Sequence, residues 1–430
     1  MTDTSPPPLS TPAGDTPADT PVDQVLADLL RLAWPLPPQE QETVSLLQAL
    51  GRVLAHDIIS PISVPAHDNA AMDGYAFAGS QMAPGQPLTL HVIGTALAGQ
   101  PWTGPVGKGQ CLRIMTGATL PDGLDTVVPQ EHTQVRGEHV HIPADTVRPG
   151  AHRRQRGEDL MAGQPALRQG ERLGPAALGL LASLGLTQAP VYRRLRVACL
   201  STGSEILAPG QPPRPGAVYD SNRYSLHGLL TRLGVDVIDL GVIRDDPALL
   251  REAFSHAAAQ ADALITSGGV GAGEADHTQA ILQELGEVAF WHIAMRPGRP
   301  MAAGRIGTAQ GSTLLLGLPG NPVAAMVSFL AFVRPTLLHM MGARDTAAPP
   351  PLMARSEHTL RKKPGRTEYQ RGIVTQQAEG SLSVRSTGHQ GSGVLSSMVQ
   401  ANGLIMLSHE QGDVAAGEQV PVMMFEGLLG

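Results

Sequence analysis

The chain has 430 residues, a formal net charge of −7 at pH 7 and 42% hydrophobic residues. Its length predicts roughly three domains of about 150 residues each. The negative charge and the low aromatic content of 3% argue against a nucleic-acid-binding surface. There is no run of about 18 apolar residues, so we expect no membrane contact. Cys111 and Cys199 form neither a metal motif nor a disulfide framework, so we expect a cytoplasmic protein.

The N-terminal part of the chain predicts a tail followed by helices. Residues 1–21 are rich in Pro, Thr, Ser and Asp and predict a disordered tail. Apolar residues at helical spacing predict a helix that begins at Val22, and residues 46–55 predict a second one. Residues 175–184 begin with a proline and predict a further helix.

Residues 59–160 predict a β-rich domain, because short alternating segments are separated by Gly and Pro. Within 139–143, alternation places Val140 and Ile142 inside. His139 and His141 are therefore expected to face solvent rather than to bind a metal.

Residues 195–342 follow a different pattern, in which apolar strands alternate with helices. Strands are predicted over 195–201, 235–241, 262–269 and 312–320, and helices over 221–233, 247–260, 277–285 and 321–340. This alternation predicts a parallel sheet with helices on both faces. A Pro-rich break at 347–352 then precedes short strands that predict a small C-terminal β domain.

Acidic residues follow three of the predicted strands. Glu205 lies in STGSE, Asp245 in IRDDP and Asp276 at the end of SGGVGAGEAD. The carboxyl ends of parallel strands share one sheet edge, so these acids could together offer hard oxygen ligands to Mg²⁺. The alternative is three unrelated surface acids. Asp276 and Asp246 also fit helix caps, which leaves Asp245 the better ligand candidate of its pair.

Several loops at the same edge could bind anions. Glycines 268, 269, 271 and 273 could present backbone N–H groups, or could simply make a tight turn. GLPGNP at 317–322 has the same two interpretations. Arg296 and Arg299 in RPGRP could grip an oxyanion or lie in a solvated basic turn.

Other motifs carry little information by themselves. Asp73 lies in DNAAMDGYAF, Thr116 in RIMTGA and Arg154 in HRRQRGED, which are typical of turns and charge runs. Ser392 in GHQGSG lies in a flexible loop that could touch a ligand, but the loop lacks the GxSxG nucleophile pattern.

The order of the motifs is more specific than any one of them. It runs DNAAMDGYAF, RIMTGA, RRQRGEDL, STGSE, YDSNR, IRDDP, SGGVGAGEAD, MRPGRP, GLPGNPV, GHQGSG. In this order, from about residue 22 to the C-terminus, the chain resembles the molybdopterin molybdenumtransferase family (MoeA and the C-terminal half of gephyrin). The resemblance implies a multidomain α/β plus β fold. Its four parts would be a discontinuous helical linker domain (22–58 and 161–192), a β-rich domain (59–160), a doubly wound α/β molybdopterin-binding domain (193–343) and a C-terminal β domain (349–430). The disordered tail (1–21) lies outside the resemblance.

The resemblance also implies an activity and partners. Adenylylated molybdopterin and molybdate would be converted to the molybdenum cofactor, with AMP released and Mg²⁺ as the divalent metal. The enzyme would be a homodimer whose cleft combines the α/β domain of one subunit with the β-rich domain of the other. The adenylyltransferase that makes the substrate and the chaperones of molybdoenzymes would be further partners.

Residue roles follow from the resemblance in the same way. Asp73 and Thr116 would reach across the dimer to the metal and the reacting phosphate, and Glu205, Asp245 and Asp276 would hold the metal. The attacking oxygen would come from molybdate or from water. The residues that bind substrate would be Gly268, Gly269, Gly271, Gly273, Pro319, Gly320, Asn321, Pro322, Arg154, Arg296, Arg299, Arg371 and Ser392.

The chain departs from the family pattern at a few positions. Arg296, Arg299 and His292 stand where lysines are common, Gly271 replaces a common Ser, and His277 replaces a common Tyr. Two alternatives stay open: a molybdopterin adenylyltransferase, which needs only the α/β domain, and a non-catalytic molybdopterin-binding scaffold. The retained acidic set (Asp73, Glu205, Asp245 and Asp276) favours the transferase.

Overall fold

The computed structural model of the protein describes residues 19–37, 40–270, 277–309 and 311–425. Three six-stranded sheets organise these residues, and several two-stranded pairs connect them.

The N-terminal helix, Val22–Leu32, packs on the α/β region. Its buried stripe of Val25, Leu29 and Leu32 belongs to the same core cluster as Leu337. Its apolar stripe is buried against the helix Arg334–Met340, and Val53 and Ala55 of the linker region belong to the same cluster. The expected grouping of this helix with the linker domain stays a prediction. Residues 19 and 20, predicted to lie in the tail, are also ordered: Thr20 forms a parallel bridge with Ile293.

The linker region is less helical than predicted. The expected helix at 46–55 is wrong: only a 3₁₀ turn, Leu46–Gln48, forms there, and Gly51 adopts a φ of +74° that a helix cannot contain. The strand Gln41–Ser45 pairs antiparallel with Gln188–Tyr192, and Ile58–Ile59 pairs with Pro165–Leu167. The predicted helix at 175–184 is confirmed as Pro175–Ser183, with proline in its first turn.

The β-rich region forms a sheet with a separate core on each face. Its strands in sheet order are Thr126–Pro129, Gly74–Phe77, Gln110–Ile114, Leu88–Ala96, His139–Ile142 and Gln134–Arg136. Tyr75 and Phe77 join one core, and Ala76 joins the other, as the period of two requires. Short 3₁₀ turns lie at Gly79–Gln81 and Gln130–His132, and Asn69–Ala70 pairs with Arg153–Arg154. Val140 and Ile142 are buried, as predicted from the alternation.

The α/β region contains four parallel strands, in the order Asp236–Ile243, Arg196–Thr202, Ala263–Ser267 and Gly311–Leu318. Its helices are Asn222–Leu233, Pro247–Gln260, His277–Leu285 and Pro322–Ser328, the last continuing through Phe329–Val333 into Arg334–Met340. Val197 and Cys199 face one helical layer, and Ala198 and Leu200 face the other. The predicted strands and helices are thus confirmed, including a layer of helices on each face.

Two further strands correct the prediction of an all-parallel sheet. Pro300–Thr308 pairs antiparallel with Gly311–Leu318, and Gly286–His292 pairs antiparallel with Pro300–Thr308. This hairpin carries the Arg296 and Arg299 loop between its two strands. The sheet is therefore mixed, with its antiparallel edge beside the arginines. Ile206–Leu207 and Val218–Tyr219 form a small separate pair.

The C-terminal region is a small closed barrel. Its strands are Leu352–Ser356, Thr367–Gln376, Leu382–Ser386, Gly403–Leu407 and Gln419–Met424, with one short helix, Ser396–Gln400. The ring closes because Thr367–Gln376 pairs with both Leu382–Ser386 and Gly403–Leu407. Met295–Arg296 adds a short parallel strand to Thr367–Gln376, so the arginine loop is bonded to the barrel as well as to the α/β sheet.

The helical run Pro322–Met340 has the length and hydropathy of a membrane span, and most of it is buried inside the protein. It forms part of the core between the α/β sheet and the N-terminal helix.

Candidate active site

A cleft of about 800 Å³ lies between the carboxyl edge of the α/β sheet and the C-terminal barrel. Segments from five places in the α/β region and two in the barrel form its walls. The predicted site residues among those that line it are Glu205, Asp245, Gly268, Gly269, Arg296, Arg299, Pro319, Gly320, Asn321 and Ser392. The convergence expected from the topology of the sheet is therefore present in one chain.

The two acids of the cleft come from neighbouring loops that are bonded to each other. The backbone N–H of Ser204 donates to Oδ2 of Asp245 at 3.1 Å, and the N–H of Asp245 donates to Oγ of Ser204 at 3.3 Å. Glu205 follows directly and is exposed to the cleft. Asp246 instead caps its helix, with Oδ1 accepting from the N–H groups of Ala248 and Leu249, as predicted.

The two glycines that follow Ala263–Ser267 make a tight turn. Gly268 and Gly269 have φ angles of +93° and +71°, and a Cβ on Gly269 would lie 2.5 Å from Oγ1 of Thr278. The N–H of Gly268 donates to the carbonyl of Leu318 at 3.1 Å, so it serves the sheet rather than an anion. Gly271, Gly273 and Asp276 lie outside the described residues.

The Pro319–Asn321 turn is held by a buried residue that the sequence reasoning did not select. Nδ2 of Asn222 donates to the carbonyl of Gly320 at 2.7 Å and to Oγ of Ser267 at 2.6 Å. These bonds tie two cleft loops together. Pro322 begins the next helix and is not among the residues that line the cleft.

The cleft contains three arginines. The guanidinium of Arg299 has a partner that the sequence did not predict, because its Nε and Nη2 donate to Oδ1 of Asp19 at 3.0 and 2.8 Å. Arg296 lies 3.9 Å from the buried carboxylate of Glu368, which also accepts from Nε of Arg366 at 3.1 Å. Arg366 also lines the cleft, although the sequence analysis did not select it as a site residue. The feature that could have indicated it is the basic segment GRTEYQRG.

Arg371 lies behind the cleft rather than in it. It is only 1% exposed, and its guanidinium donates to Oγ of Ser397 and to the carbonyl of Gly391, each at 3.0 Å. Burial, together with the nearby charge of Arg296, lowers its pKa to about 10. Gly391 and Ser392 line the cleft, so Arg371 positions the loop that was predicted to bind substrate.

Asp73, Thr116 and Arg154 lie in the β-rich region and do not line the cleft of the same chain. Oδ1 of Asp73 accepts from the Oγ1 of Thr116 at 2.6 Å and from its N–H at 2.7 Å. These two bonds, the side-chain bond first, hold the pKa of Asp73 below its usual range. Arg154 is exposed on the short strand Arg153–Arg154.

His292, which stands at a common lysine position, ends the edge strand Gly286–His292 and does not line the cleft. Its carbonyl accepts from the N–H of Thr20 at 2.7 Å. The described residues contain no group of three or more His, Cys, Asp or Glu side chains that could hold a metal ion. Glu205 and Asp245 are two of the three predicted ligands.

Comparison with known families matches most of the chain in three consecutive pieces. These are the MoeA N-terminal region (domain I and II) at residues 20–185, a probable molybdopterin binding domain at 198–339 and the MoeA C-terminal region (domain IV) at 354–425. A molybdopterin molybdenumtransferase of Haemophilus influenzae is 42% identical over 91% of this chain and 96% of its own length. The chain belongs to the molybdopterin molybdenumtransferase family.

Other members of the family agree with this assignment. Molybdopterin molybdenumtransferase 2 of Mycobacterium tuberculosis is 37% identical over 93% of this chain and 97% of its own length. The crystal structure of a molybdopterin biosynthesis MoeA protein from Pyrococcus horikoshii is 32% identical, with a TM-score of 0.73 over 95% of this chain and 99% of that one. The family resemblance and the multidomain α/β plus β fold predicted from the motifs are thus confirmed.

Proposed function

We propose that this protein transfers molybdenum from molybdate to adenylylated molybdopterin and releases AMP. Family membership supports the molybdenum transfer. The observation that carries the finer proposal is the cleft itself, where Arg296, Arg299 and Arg366 face Glu205 and Asp245. Such a mixture suits a substrate with several anionic groups and a bound cation.

The arginines would hold the anionic groups. A guanidinium presents parallel N–H donors that match the oxygens of a phosphate or of tetrahedral molybdate. Arg296 and Arg299 are both more than half exposed, at 53% and 59% of their side-chain surface, so a ligand can reach both. At Arg299 the ligand would compete with Asp19, whose carboxylate accepts from Nε and Nη2. Arg371 would keep the Gly391–Ser392 backbone in place beneath that ligand.

The acids would hold Mg²⁺. Among the described residues, neither oxygen of Glu205 accepts a hydrogen bond, and Asp245 uses only Oδ2, for the N–H of Ser204. The free oxygens are hard ligands of the kind that Mg²⁺ prefers, so this donor set fits the ion, with Asp276 as a further proposed ligand. Bound there, Mg²⁺ would polarise the phosphoanhydride of the substrate.

We also propose that the active enzyme is a homodimer in the cytoplasm. The Asp73–Thr116 pair is exposed and absent from the cleft of its own chain, which supports a role in the cleft of a partner. Cys111 and Cys199 are buried free thiols, which agrees with a reducing compartment. The adenylyltransferase and molybdoenzyme chaperones stay proposed partners.

The activity test supplies purified protein with adenylylated molybdopterin, Mg²⁺ and molybdate. We expect AMP release and molybdenum incorporation that both require molybdate, and we expect EDTA to stop them until Mg²⁺ is restored. Silence under all conditions would favour a scaffold, and formation of adenylylated molybdopterin from ATP would favour an adenylyltransferase. Glu205→Gln and Asp245→Asn should each lower turnover; wild-type rates would contradict the metal assignment.

The dimer test mixes two inactive variants. If Asp73 acts in its partner's cleft, a hybrid of an Asp73→Asn chain and a Glu205→Gln chain has one cleft with both substitutions and one intact cleft. Equal mixing with free exchange should then restore about a quarter of wild-type activity, since half of the dimers carry one active site of two. No recovery, with hybrid dimers verified by mass spectrometry, would place Asp73 in its own chain's cleft or outside the reaction.

A further inference from the structure

A second cavity, separate from the cleft, lies where three segments of the chain meet. It has a volume of about 730 Å³ and is lined by residues 170–172, by Arg334 at the start of its helix, and by residues 344, 345 and 347–350. None of these residues lines the active-site cleft. We call it the junction cavity.

Arg334 is a buried cation with poor compensation. The residue is 7% exposed, and its Nε has no hydrogen-bond partner in the part of the chain that the structure describes. Its one hydrogen bond, from Nη1 to the carbonyl of Ala347, is long at 3.4 Å. Burial, and after it the charge of Arg172, lowers the pKa of Arg334. A charge buried in this way is costly unless a counter-ion accompanies it.

Two more arginines line the same cavity. Within the described residues, Arg172 donates only to backbone carbonyls, from Nε to Gly51 at 3.2 Å and from Nη2 to Leu233 at 3.3 Å. Arg344 is exposed, and its guanidinium has no hydrogen bond to the described residues. Three arginines therefore line one space, and in the part of the chain that the structure describes no carboxylate lies within 4.0 Å of their guanidinium groups.

The cavity also contains two carboxylates, and neither forms an ion pair with the arginines, although the charge of Asp345 raises the pKa of Arg334 and so opposes part of the effect of burial. Glu171 and Asp345 lie in its lining, but no ion pair within 4.0 Å joins either of them to Arg172, Arg334 or Arg344. Asp345 is engaged locally, because its Oδ1 accepts from the N–H of Ala347 at 3.1 Å. The net charge of the lining is positive, and the missing partner is an anion.

We propose that the junction cavity is a second anion site, which binds a tetrahedral oxyanion of the phosphate class. Guanidinium groups bind such oxyanions through paired N–H donors. The Nε of Arg334, which has no partner among the described residues, would supply one such donor. The oxyanion is either a free ion or the terminal group of a small phosphate ester, since both present the same oxygens. Binding there would join the linker region to the segment that leads into the C-terminal barrel.

The test measures calorimetric binding of inorganic phosphate, at constant ionic strength, to the full chain carrying Arg296→Gln and Arg299→Gln, which weaken the cleft. We expect binding to persist in this background. Adding Arg344→Gln or Arg334→Met should weaken it about ten-fold or more, as expected for the loss of a charged hydrogen-bond donor. Arg355→Gln, an exposed arginine on the barrel, is the matched control and should change nothing.

Arg344 is exposed, so its substitution should leave folding intact even if Arg334→Met does not fold. Unchanged phosphate affinity in folded Arg344→Gln protein, or no phosphate binding once the cleft arginines are removed, would overturn the proposal. Repeating the titrations with AMP separates the two sources, provided that only the affinity removed by Arg344→Gln is compared, because AMP is also the proposed product in the cleft. A larger Arg344-dependent affinity for AMP points to a phosphate ester, and a larger one for phosphate points to the free ion.

Discussion

Oδ1 of Asp19 lies 2.8 Å from Nη2 of Arg299, although 280 residues separate the two along the chain. The backbone of Thr20 supports this contact, because its N–H donates to His292 and its carbonyl accepts from Ala294. An acidic residue from the N-terminal segment thus occupies a guanidinium that lines the cleft.

Asp19→Asn should strengthen binding of inorganic molybdate in the cleft, because it removes a carboxylate that competes for Arg299. Exposed ion pairs contribute about 0.2–1 kcal/mol, which corresponds to a gain of up to about five-fold in affinity. Calorimetric titration with molybdate measures this affinity. Asp23→Asn, an exposed acid in the first turn of the adjacent helix, is the matched control. Equal affinities in wild type and Asp19→Asn would show that Asp19 does not compete with the ligand.

Gly203→Ala should impair cation binding at the acidic pair. A Cβ at this position would lie 2.6 Å from Oε2 of Glu205, so the carboxylate would have to move. We expect the Mg²⁺ affinity to fall about ten-fold or more, the scale on which ligand positioning acts. Titration of Mg²⁺-dependent AMP release measures this loss.

Gly210→Ala is the control for backbone strain. Gly210 also has a positive φ, +92°, but a Cβ there would meet nothing within 4 Å. Both substitutions should lower the free energy of unfolding by about 1–3 kcal/mol, and only Gly203→Ala should change the Mg²⁺ dependence. A similar change in both variants would mean that strain, and not Glu205, explains the effect.

Thr116→Val should raise the pKa of Asp73 towards its usual range, because it removes the Oγ1 hydrogen bond and keeps the backbone one. The lowered pKa means that the stabilisation from ionised Asp73 is present above the pKa of an unfolded carboxyl. It is lost as pH falls through the lowered value. The variant should therefore lose this contribution at a higher pH. Carboxyl ¹³C titration by NMR reports the pKa, and Thr116→Ser, which keeps the hydroxyl, should match wild type.

Arg371→Met should loosen the loop at Gly391 and Ser392. The substitution removes the hydrogen bonds to Ser397 and Gly391 and also removes a buried charge. The free energy of unfolding should therefore change little, while the loop loses its support. We expect faster amide exchange over residues 390–392 and molybdate affinity lower by about three- to ten-fold. Ser397→Ala keeps the Gly391 bond and should have the smaller effect. Exchange at wild-type rates in Arg371→Met would rule out the positioning role.

The α/β region could be predicted well because its signals are local and strong. Each buried strand is an apolar run in the sequence. Because the strands are parallel, the loops that follow them lie at the same edge of the sheet. Asp245 and Asp246 show how far this reasoning extends: a proline after Asp246 predicted the cap, and the structure places Asp246 on the helix and Asp245 in the cleft.

Other features depend on contacts that no local pattern contains. The edge hairpin Gly286–His292 and Pro300–Thr308 lies in a segment where the two prolines and the glycine of RPGRP indicated only a loop. Arg371 is of a residue type that often binds anions, and the sequence therefore suggested a ligand contact. Its position behind the Gly391 carbonyl depends on how the barrel closes. At 46–55 the apolar spacing suits a helix, and the positive φ of Gly51 decides against it.

The short strand Met295–Arg296 has a consequence for chimaeric proteins. Arg296 is paired in register with Glu368 of the barrel, whereas His292 and Pro300 on either side of it belong to the α/β sheet. Recombination that exchanges the last domain between relatives would give Arg296 a foreign neighbour while leaving its own loop untouched. Working chimaeras should therefore carry residues 293–299 and 366–371 from the same parent, because one wall of the cleft is encoded jointly by two distant stretches of the gene.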